Sequence, residues 1–382
     1  MRAHHILLFV ESFIGGGVER VALRLADGWI RAGRQVTIAA GSLAGPLAAE
    51  IPRGASLIDL GTRNYGSLSA ATVRAIGRVA PDVVMCPGNY YSAIAVAARL
   101  ALGRHCPPII AKISNAFIRH DFSAPAQAGY VTWLRFHARF IDRFVALSDG
   151  MRDEAIEVAA IDPGRVVTIA NPAAPAPALA WARREPMILG VGRLVAQKRF
   201  ERLVEAFARL PRSLGARLVL LGDGPERARI AAAAARLGVA GRVAMPGNSA
   251  DPFPWMARAR VLALSSDYEG MPNVLGEALS VGTPVVTTDC SSSIADIVRD
   301  PRLGSVVPIG DGGAMAAALH RWFTAEPDRD LIRRLARRPT ADAAACWIDA
   351  MDTLAAAHRD PVRVPDPGPR GTAIPAFAGR GF

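Results

Sequence analysis

The sequence predicts an α/β protein with two doubly wound, Rossmann-like domains that face a central cleft. Short Val-, Ile- and Leu-rich runs alternate with Ala- and Arg-rich segments of helical spacing, as is typical of parallel βαβ units. The alternation stops at a Pro/Ala-rich stretch, NPAAPAPALA, and then restarts. The 382 residues are enough for two domains of roughly 150 residues each.

The N-terminal domain is predicted to span residues 1–172 and is followed by a Pro/Ala linker at residues 173–186. Seven strands are predicted before the linker, at residues 5–10, 35–40, 56–60, 82–86, 108–114, 143–147 and 166–170. In sheets of this kind, ligands bind beyond the carboxyl ends of the strands. Functional residues are therefore expected in the loops that follow strands.

The C-terminal domain is predicted to span residues 187–325. Its strands are expected at residues 187–192, 216–221, 243–245, 260–264, 284–288 and 304–307, and its helices near residues 199–210, 225–237, 252–258, 272–281, 292–299 and 312–323. A helical segment at residues 326–358 follows. Residues 359–382 are too rich in Pro and Gly to form an element, so we predict a disordered tail.

Composition excludes several classes of protein. Lys and Arg number 45 against 34 Asp and Glu, a net charge of +11, but no Lys/Arg-rich block of the kind that binds nucleic acid is present. A diffuse positive field suits anionic small molecules or an anionic membrane surface. The four cysteines form no CxxC pair, and no apolar run reaches the ~18 residues of a membrane span. We therefore expect a reduced, cytoplasmic protein.

A glycine-rich loop follows the first strand, where HHILLFV leads into ESFIGGGVER and a long helix. Glycines at this place let the backbone approach a phosphate or a sugar closely. The dinucleotide-binding fingerprint is incomplete, because its third glycine is replaced by Arg20 and no ribose-binding acid ends the second strand. A turn that serves only the strand-to-helix connection is the alternative interpretation.

Two cations follow the first strand of the second domain in VGRLVAQKRF. Arg193 lies at the carboxyl end of the strand and Lys198 at the start of the next helix; the only other lysine is Lys112, at a strand end. A guanidinium and an ammonium at one strand end suit a pyrophosphate. A solvated helix start is the alternative.

The most specific segment is SSDYEGMPNVLGEALSVGTPVV. Pro272 is predicted to be the first residue of a helix, with Glu269 in the loop before it and Glu277 more than one turn inside. The amides of Asn273 and Val274 would form an exposed helix N-terminus suited to phosphate, and carboxylates accept hydrogen bonds from vicinal diols. Acids that only complement the helix dipole would explain Glu269 but not the whole segment.

Taken together, these motifs resemble the retaining GT-B glycosyltransferases, a large nucleotide-sugar-dependent family (family 4-like, group 1). The similarity covers most of residues 5–325, through GGGVER, ALSDGMRDE, IANP, VGRLVAQKRF, LLGDGPER and the ExxxxxxxE segment. It implies a GT-B fold, a catalytic group of Glu269, Arg193 and Lys198, and a larger donor-binding set. That set is Gly16, Gly17, Arg193, Lys198, Gly222, Gly247, Asn248, Glu269, Gly270, Met271, Pro272, Asn273, Val274 and Glu277.

The chain departs from the family pattern at two places. A histidine that contacts the transferred sugar in many members is replaced at the end of PIIAKIS by Ser114 and Asn115, so Asn115 and the nearby His120 are the candidate sugar or acceptor contacts. The Pro-Ser-Gly-Pro segment that follows TDC in many relatives is here SSSIAD, ending at Asp296. Three serines can still cap the helix that begins there.

The resemblance implies transfer of a sugar, with retention, from a nucleotide diphosphate sugar, UDP being favoured, to a glycan or lipid-linked acceptor of the cell envelope. The leaving phosphate would take the acceptor proton, so neither a metal nor a cofactor is expected. The only Asp-x-Asp triplet, Asp328-Arg329-Asp330, is interpreted as helix N-terminal charge. A GT-B nucleotide-sugar epimerase and a catalytically silent nucleotide-sugar-binding protein are the alternatives.

An aromatic stripe between residues 131 and 144 allows two interpretations. Its aromatic residues are Trp133, Phe136, Phe140 and Phe144, and Arg135, Arg139 and Arg143 lie beside them. The stripe could touch anionic lipid at the inner face of the cell membrane. Burial in the core of the first domain is the interpretation that the sequence favours.

Overall fold

A computed structural model describes residues 2–14, 16–172, 183–249, 251–336 and 342–359. Within these ranges the chain forms two parallel sheets of seven and six strands, with helices packed on both faces. The predicted α/β class, with two doubly wound sheets, is confirmed. Residues 173–182 of the predicted linker and residues 360–382 of the predicted tail lie outside the described residues.

The first sheet contains the strands β1 (His5–Ser12), β2 (Gln35–Ser42), β3 (Ser56–Asp59), β4 (Val83–Cys86), β5 (Ile109–Lys112), β6 (Arg143–Ala146) and β7 (Val166–Thr168). Its helices are α1 (Gly17–Arg31), α2 (Tyr65–Val79), α3 (Ser92–Leu102), α4 (Ala124–Ala138) and α5 (Asp149–Ala159). The strand order is β3-β2-β1-β4-β5-β6-β7, so the direction of winding reverses between β1 and β4.

The second sheet contains the strands β8 (Met187–Val191), β9 (Arg217–Leu221), β10 (Val243–Gly247), β11 (Val261–Leu264), β12 (Val285–Thr288) and β13 (Gly304–Val307). Its helices are α6 (Phe200–Ala208), α7 (Arg227–Arg236), α8 (Phe253–Arg258), α9 (Asn273–Ser280), α10 (Ile294–Ile297) and α11 (Gly312–Thr324). The order β10-β9-β8-β11-β12-β13 reverses between β8 and β11.

The central strands are apolar on both faces because helices cover both faces. On β1, Leu7 and Phe9 pack into one core cluster, whereas Ile6 and Leu8 pack into the cluster on the opposite face. Parallel sheets that are covered on both sides have such near-continuous apolar strands. The two reversals of winding leave the loops after β1, β4, β8 and β11 free at the carboxyl edges, where ligands bind.

The chain returns to the first sheet after completing the second. Helix α12 (Arg329–Ala336) packs beside α9, and helix α13 (Ala343–Arg359) lies against α1. The ring of Trp347 on α13 is 6.0 Å from the ring of Trp29 on α1. Asp352 accepts a hydrogen bond from the Ala3 amide at 2.7 Å and forms an ion pair with Arg34 at 2.8 Å. The strand β1 region and the last described helix are thereby joined on one core.

Burial of the whole aromatic stripe near α4 is a wrong prediction. Phe144 is buried, but Trp133 and Phe136 are 49% and 39% exposed. The inward positions of α4 are taken instead by Leu134, His137 and Ala138. Among the described helices, none is long and apolar enough to cross a bilayer.

Replacing Trp347 with Ala should destabilise the first domain by about 3–5 kcal/mol, because the side chain is 1% exposed and its removal leaves a cavity against Trp29. Equilibrium denaturation measures the change. Asp349→Ala, at an exposed position of the same helix, is the control and should change stability by less than about 0.5 kcal/mol. Equal stability of the two variants would contradict the docking of α13.

Candidate functional site

The two domains meet at the start of α9. A Cβ placed on Gly270 would lie 2.3 Å from the Ser114 carbonyl oxygen, so only glycine allows this approach. Next to it, Asn171 Nδ2 donates to Asn273 Oδ1 at 2.9 Å. The position of a Cβ on Gly17 is 3.9 Å from Asn273 Nδ2. The glycine loop, the IANP segment and the acidic segment therefore converge at one point.

Lys198 and Glu269 form an ion pair at the carboxyl edge of the second sheet. Lys198 Nζ lies 2.5 Å from Glu269 Oε1, and the Ser266 hydroxyl donates to the same oxygen at 2.6 Å. Both side chains are largely buried, at 16% and 10% exposed. A buried charge requires a partner, so each side chain fixes the position of the other.

Two further ion pairs connect the loop after β11 to the segment that follows β8. The buried Asp267 carboxylate bridges Arg199 and Arg202, and its hydrogen bond raises the pKa of Arg199. Gln197 Nε2 donates to the Tyr268 carbonyl at 2.8 Å. The loop after β8 and the loop after β11 are therefore held in one arrangement by side chains on both.

Arg193 follows the same strand as Lys198, and its side chain is free to bind a ligand. Its guanidinium is exposed, with no hydrogen bond or ion pair to another described residue. The aliphatic part of the Lys198 side chain passes over Gly192, since a Cβ on Gly192 would be 3.3 Å from Lys198 Cε.

The LLGDGPER loop packs against the end of strand β8. A Cβ on Gly222, whose φ is +144°, would lie 1.9 Å from the Gly192 carbonyl oxygen. Close backbone packing accounts for the glycine at 222.

Helix α9 begins at Asn273, one residue later than predicted, and Pro272 precedes it. Met271 packs against the core of the first domain. The N-terminus of α1 faces the same region, and a Cβ on Gly16 would lie 2.1 Å from Glu19 Oε2, so the loop is shaped around that carboxylate. Two helix N-termini, at Gly17 and Asn273, thus border the cleft, and both favour negative charge.

Glu277 lies inside α9, as predicted, close enough to α1 of the first domain to interact with its charges. Burial raises the pKa of the Glu277 carboxyl, and the charges of Arg24 and Arg20 on α1 act in the opposite direction. Ionisation of the Glu277 carboxyl therefore costs free energy in the folded protein. A hydrogen-bond donor placed in the cleft, such as a hydroxyl, would relieve that cost.

Gly247 and Asn248 lie at the end of β10, on the far side of β9. Gly247 has a φ of +92°, and its carbonyl accepts a hydrogen bond from the Gly222 amide at 2.8 Å. Asn248 is exposed. The bond from Gly222 connects this loop to the strand end that bears Arg193.

The wall of the first domain contains a polar network that the sequence did not reveal. The Tyr91 hydroxyl donates to Glu19 at 3.0 Å and accepts from the Glu11 amide at 3.1 Å. Burial lowers the pKa of Lys112 to about 8, with Glu19 nearby acting in the opposite direction. Tyr90 is 58% exposed, and the centroid of its ring lies 5.1 Å from the centroid of the Tyr91 ring. An exposed ring beside fixed polar groups is a suitable surface for a sugar.

Asn115 and His120 lie in the loop after β5 and are not brought together. Asn115 Oδ1 accepts from the Ala116 amide, at 3.0 Å, whereas His120 is exposed. Arg119 crosses to the second domain instead: its guanidinium stacks on Tyr268 at 3.8 Å. Asn89 fixes the start of the loop by accepting from the Ser114 amide at 2.8 Å.

The unusual SSSIAD segment also joins the domains. The Ser292 hydroxyl donates to Glu154 Oε2 at 2.6 Å, and Glu154 Oε1 accepts from the amides of Phe117 and Ile118. The Gly150 amide donates to Asp296 at 3.3 Å. Residues that depart from the family pattern therefore form a second contact between the domains.

Among the described residues, no cluster of three or more His, Cys, Asp or Glu side chains is arranged to hold a metal ion. The Asp328-Arg329-Asp330 triplet lies at a helix start: Asp328 Oδ1 accepts from the Leu331 amide at 3.0 Å, and α12 begins at Arg329. This agrees with the predicted role as helix N-terminal charge.

Two family models match the chain, one over each sheet. The model described as glycosyltransferase family 4 matches residues 15–176, and that described as glycosyl transferases group 1 matches residues 185–325. Together they extend over most of the chain.

Curated relatives point to the same class. The lipopolysaccharide core biosynthesis glycosyltransferase LpsE of Rhizobium meliloti is 39% identical over 175 residues, covering 46% of this chain and 48% of LpsE. A second relative, from Campylobacter jejuni, is named N-acetylgalactosamine-N,N'-diacetylbacillosaminyl-diphospho-undecaprenol 4-alpha-N-acetylgalactosaminyltransferase. It is 33% identical over 138 residues, 36% of this chain and 37% of that protein. The chain thus matches half or less of the length of these relatives.

Solved structures show the same fold. HepE of Anabaena, in complex with UDP and glucose, superposes with a TM-score of 0.71 at 19% identity, covering 92% of this chain and all of HepE. Taken with the two family models, this fold and its cleft assign the chain to the group 1 glycosyltransferases with the GT-B architecture.

Glu277→Gln should leave the free energy of unfolding at pH 7 unchanged or raised. The raised pKa means that the ionised carboxylate, present above its native pKa, opposes folding, and glutamine removes that cost. Any gain should disappear near pH 4, where the carboxyl is mostly protonated in both states. Urea denaturation at the two pH values, with the exposed Glu157→Gln as control, measures the effect. A loss above about 1 kcal/mol at pH 7 would contradict it.

Proposed function

We propose that this chain is a retaining, metal-independent glycosyltransferase. It would move a sugar from a nucleotide diphosphate sugar, preferably a UDP-sugar, to an acceptor hydroxyl during synthesis of cell-envelope polysaccharide, lipopolysaccharide or glycolipid. The observation that carries the proposal is the convergence of Lys198, Glu269 and the N-terminus of α9 at one edge of the cleft, with Arg193 adjacent.

The charges of the cleft suit a diphosphate with an attached sugar. Arg193 offers a free cation, and Lys198 offers an ammonium group whose charge is shared with Glu269. The amides at the start of α9 add hydrogen-bond donors and the positive end of the helix dipole. Glu269 would accept hydrogen bonds from the transferred sugar, and Glu277 from the ribose. Gly247 and Asn248 would lie near the base.

The reaction breaks the bond between the anomeric carbon and the β-phosphate oxygen and forms a bond from that carbon to the acceptor oxygen on the same face. The leaving phosphate oxygen takes the acceptor proton, so no protein base is required. Negative charge grows on the phosphate as the bond breaks. Arg193, Lys198 and the α9 amides would stabilise that charge, which is usually the largest contribution to catalysis.

A double displacement, with Glu269 as nucleophile, is less well supported. The nucleophile of a retaining glycosidase works with a second carboxyl group about 5 Å away. Glu269 Oε1 instead accepts from Lys198, which neutralises the carboxylate, and from the Ser266 hydroxyl, which helps to fix its position. These contacts favour a positioning and electrostatic part for Glu269.

Relatives support the classes of donor and acceptor. HepE is solved with UDP and glucose, LpsE is named for lipopolysaccharide core synthesis, and the Campylobacter jejuni relative is named for a diphospho-undecaprenol-linked acceptor. We extend these classes to this chain. The acceptor would bind against the first domain, where Tyr90 and the Glu19 network border the cleft. Neither an epimerase nor a silent binding protein is favoured by these names.

Arg193→Ala and Glu269→Gln should separate binding of the nucleotide from binding of the sugar. Loss of a charged phosphate contact is worth about 1.5–3 kcal/mol, so Arg193→Ala should weaken UDP about 10- to 100-fold. Glu269→Gln should not weaken UDP binding, because the glutamine Oε1 still accepts from Lys198 and Ser266 and no longer neutralises the lysine. It should abolish the extra affinity of the UDP-sugar over UDP together with transfer. Isothermal titration calorimetry with UDP-, GDP- and ADP-sugars measures both effects.

Arg236→Ala is the matched control, since this exposed arginine lies on α7 away from the cleft edge. It should bind UDP like the parent chain. The assignment of roles fails if Glu269→Gln loses UDP while Arg193→Ala retains it.

A further inference from the structure

Three arginines meet at the edge of the second sheet that lies opposite the cleft. We define the arginine cluster as Arg184, which lies just before β8, Arg260, which directly precedes β11, and Arg329, which begins α12. The strands of this sheet are parallel, so the cluster lies at their amino ends, whereas Arg193 and Glu269 follow their carboxyl ends. The five residues of β8 separate the two edges by about 16 Å.

The turn after α9 brings two members of the cluster together. Arg184 Nη2 donates to the Gly282 carbonyl at 2.9 Å. A Cβ on Gly282, whose φ is +75°, would lie 2.8 Å from Arg329 Cβ and 2.9 Å from the Arg329 carbonyl oxygen. The first residue of α12 therefore packs directly on the turn that Arg184 binds.

Arg260 and one acid complete the cluster. Arg260 Nη1 donates to Glu326 Oε1 at 2.7 Å and to the Phe323 carbonyl at 3.4 Å, so its side chain lies beside the end of α11. The charges that act most strongly on Arg184 are those of Arg329, Glu326 and Arg260. Three guanidinium groups against one carboxylate leave an excess of two positive charges.

The acids that are adjacent in the chain already bind other arginines. Glu185 forms ion pairs with Arg217 and with Arg258, the latter at 3.0 Å. Asp328 Oδ2 lies 3.8 Å from Arg334 Nη2. These contacts leave Glu326 as the acid that the structure places against the cluster.

Two nitrogens of Arg184 lack partners. Nε and Nη1 are buried, and neither has a hydrogen-bond partner among the residues that the structure describes. Burial lowers the pKa of Arg184 to about 10, and the charge of Arg329 acts in the same direction. A buried charged donor without a partner is costly and rare in native proteins, and it points to a bound ion.

A purely structural role explains only part of this arrangement. A cation at the carboxyl end of α9 interacts favourably with the helix dipole, and that effect accounts for the bond from Arg184 Nη2 to Gly282. It does not account for the unpartnered Nε and Nη1, or for the approach of two further arginines to the same turn. An anion among the three guanidinium groups accounts for both.

We propose that the arginine cluster binds a dianionic phosphate group at a site separate from the cleft. The planar guanidinium presents several N–H donors in a geometry that matches the oxygens of phosphate. A phosphate group carries about −1.5 to −2 charges at pH 7, which balances the excess of the cluster, whereas a carboxylate would balance only half of it. This site does not depend on the proposed function.

Isothermal titration calorimetry with inorganic phosphate tests the site. The full chain is used with Arg193→Ala as the background, so that the cleft loses its free cation. This background chain should bind phosphate in chloride buffer at constant ionic strength. Adding Arg184→Gln or Arg329→Gln should weaken binding at least about tenfold, because a charged contact to phosphate is lost.

Arg217→Gln in the same background is the matched control. Arg217 begins β9 at the same edge of the sheet, and its side chain is 49% exposed and paired with Glu185. This variant should bind phosphate like the background chain. A parallel titration with glycerol 3-phosphate identifies the source of the phosphate group: tighter binding than phosphate indicates a monoester, and equal or weaker binding indicates the free anion. Both results support the site if Arg184→Gln removes them.

Thermal unfolding separates a binding role of Arg184 from a structural one. In chloride buffer, Arg184→Gln should unfold at the temperature of the parent chain or higher, because a buried charge without a partner is removed. Millimolar phosphate should raise the Tm of the parent but not that of the variant. UDP affinity of Arg184→Gln should match that of the parent, so failure of this proposal is distinguishable from failure of the proposed function.

The site is refuted if the background chain binds no phosphate, or if Arg184→Gln and Arg329→Gln bind it as tightly as Arg217→Gln. It is also refuted if Arg184→Gln lowers the Tm equally in chloride and in phosphate, since Arg184 would then only support the turn at Gly282. If Arg184→Gln does not fold, the phosphate affinity of Arg329→Gln decides the question.

Discussion

The buried ion pair between Lys198 and Glu269 is the interaction on which the arrangement of the cleft depends. Each charge would be costly without the other, and the two belong to loops that follow different strands. Asp267, with Arg199 and Arg202, repeats the same connection a few residues away. Two loops that could move separately are thereby fixed relative to each other before any ligand arrives, and preorganised charges of this kind need little rearrangement during reaction.

The same ion pair limits the free positive charge of the cleft. Lys198 is neutralised by Glu269, so the free positive charge for an incoming diphosphate comes from Arg193 and from the helix N-termini at Gly17 and Asn273. Because one of these helices belongs to each domain, the electrostatic site is complete only when the domains face each other. Contacts such as Asn171 with Asn273 and Ser292 with Glu154 hold them in that arrangement.

Much of the fold and part of the site could be predicted because their signals are local. Strands covered on both faces are continuously apolar, and the donor motifs are contiguous segments. Local spacing therefore marks Lys198, Glu269 and the start of α9 as candidates, and the family resemblance implies their roles. The Glu19 and Tyr91 contact joins residues 72 positions apart, and Glu154 acts on a serine 138 positions away. The spacing of residue types along the chain does not predict contacts between residues so far apart. Helical spacing shows which residues share a face but not whether that face meets the sheet or solvent, so spacing alone does not distinguish the exposed stripe on α4 from a buried one.

A crystal structure of the chain with UDP would show how the diphosphate is held. We expect the β-phosphate within hydrogen-bond distance of the Arg193 guanidinium, Lys198 Nζ and the amides of Asn273 and Val274, with the ribose hydroxyls at Glu277. A diphosphate that points into solvent, or that binds without contact to the start of α9, would contradict it.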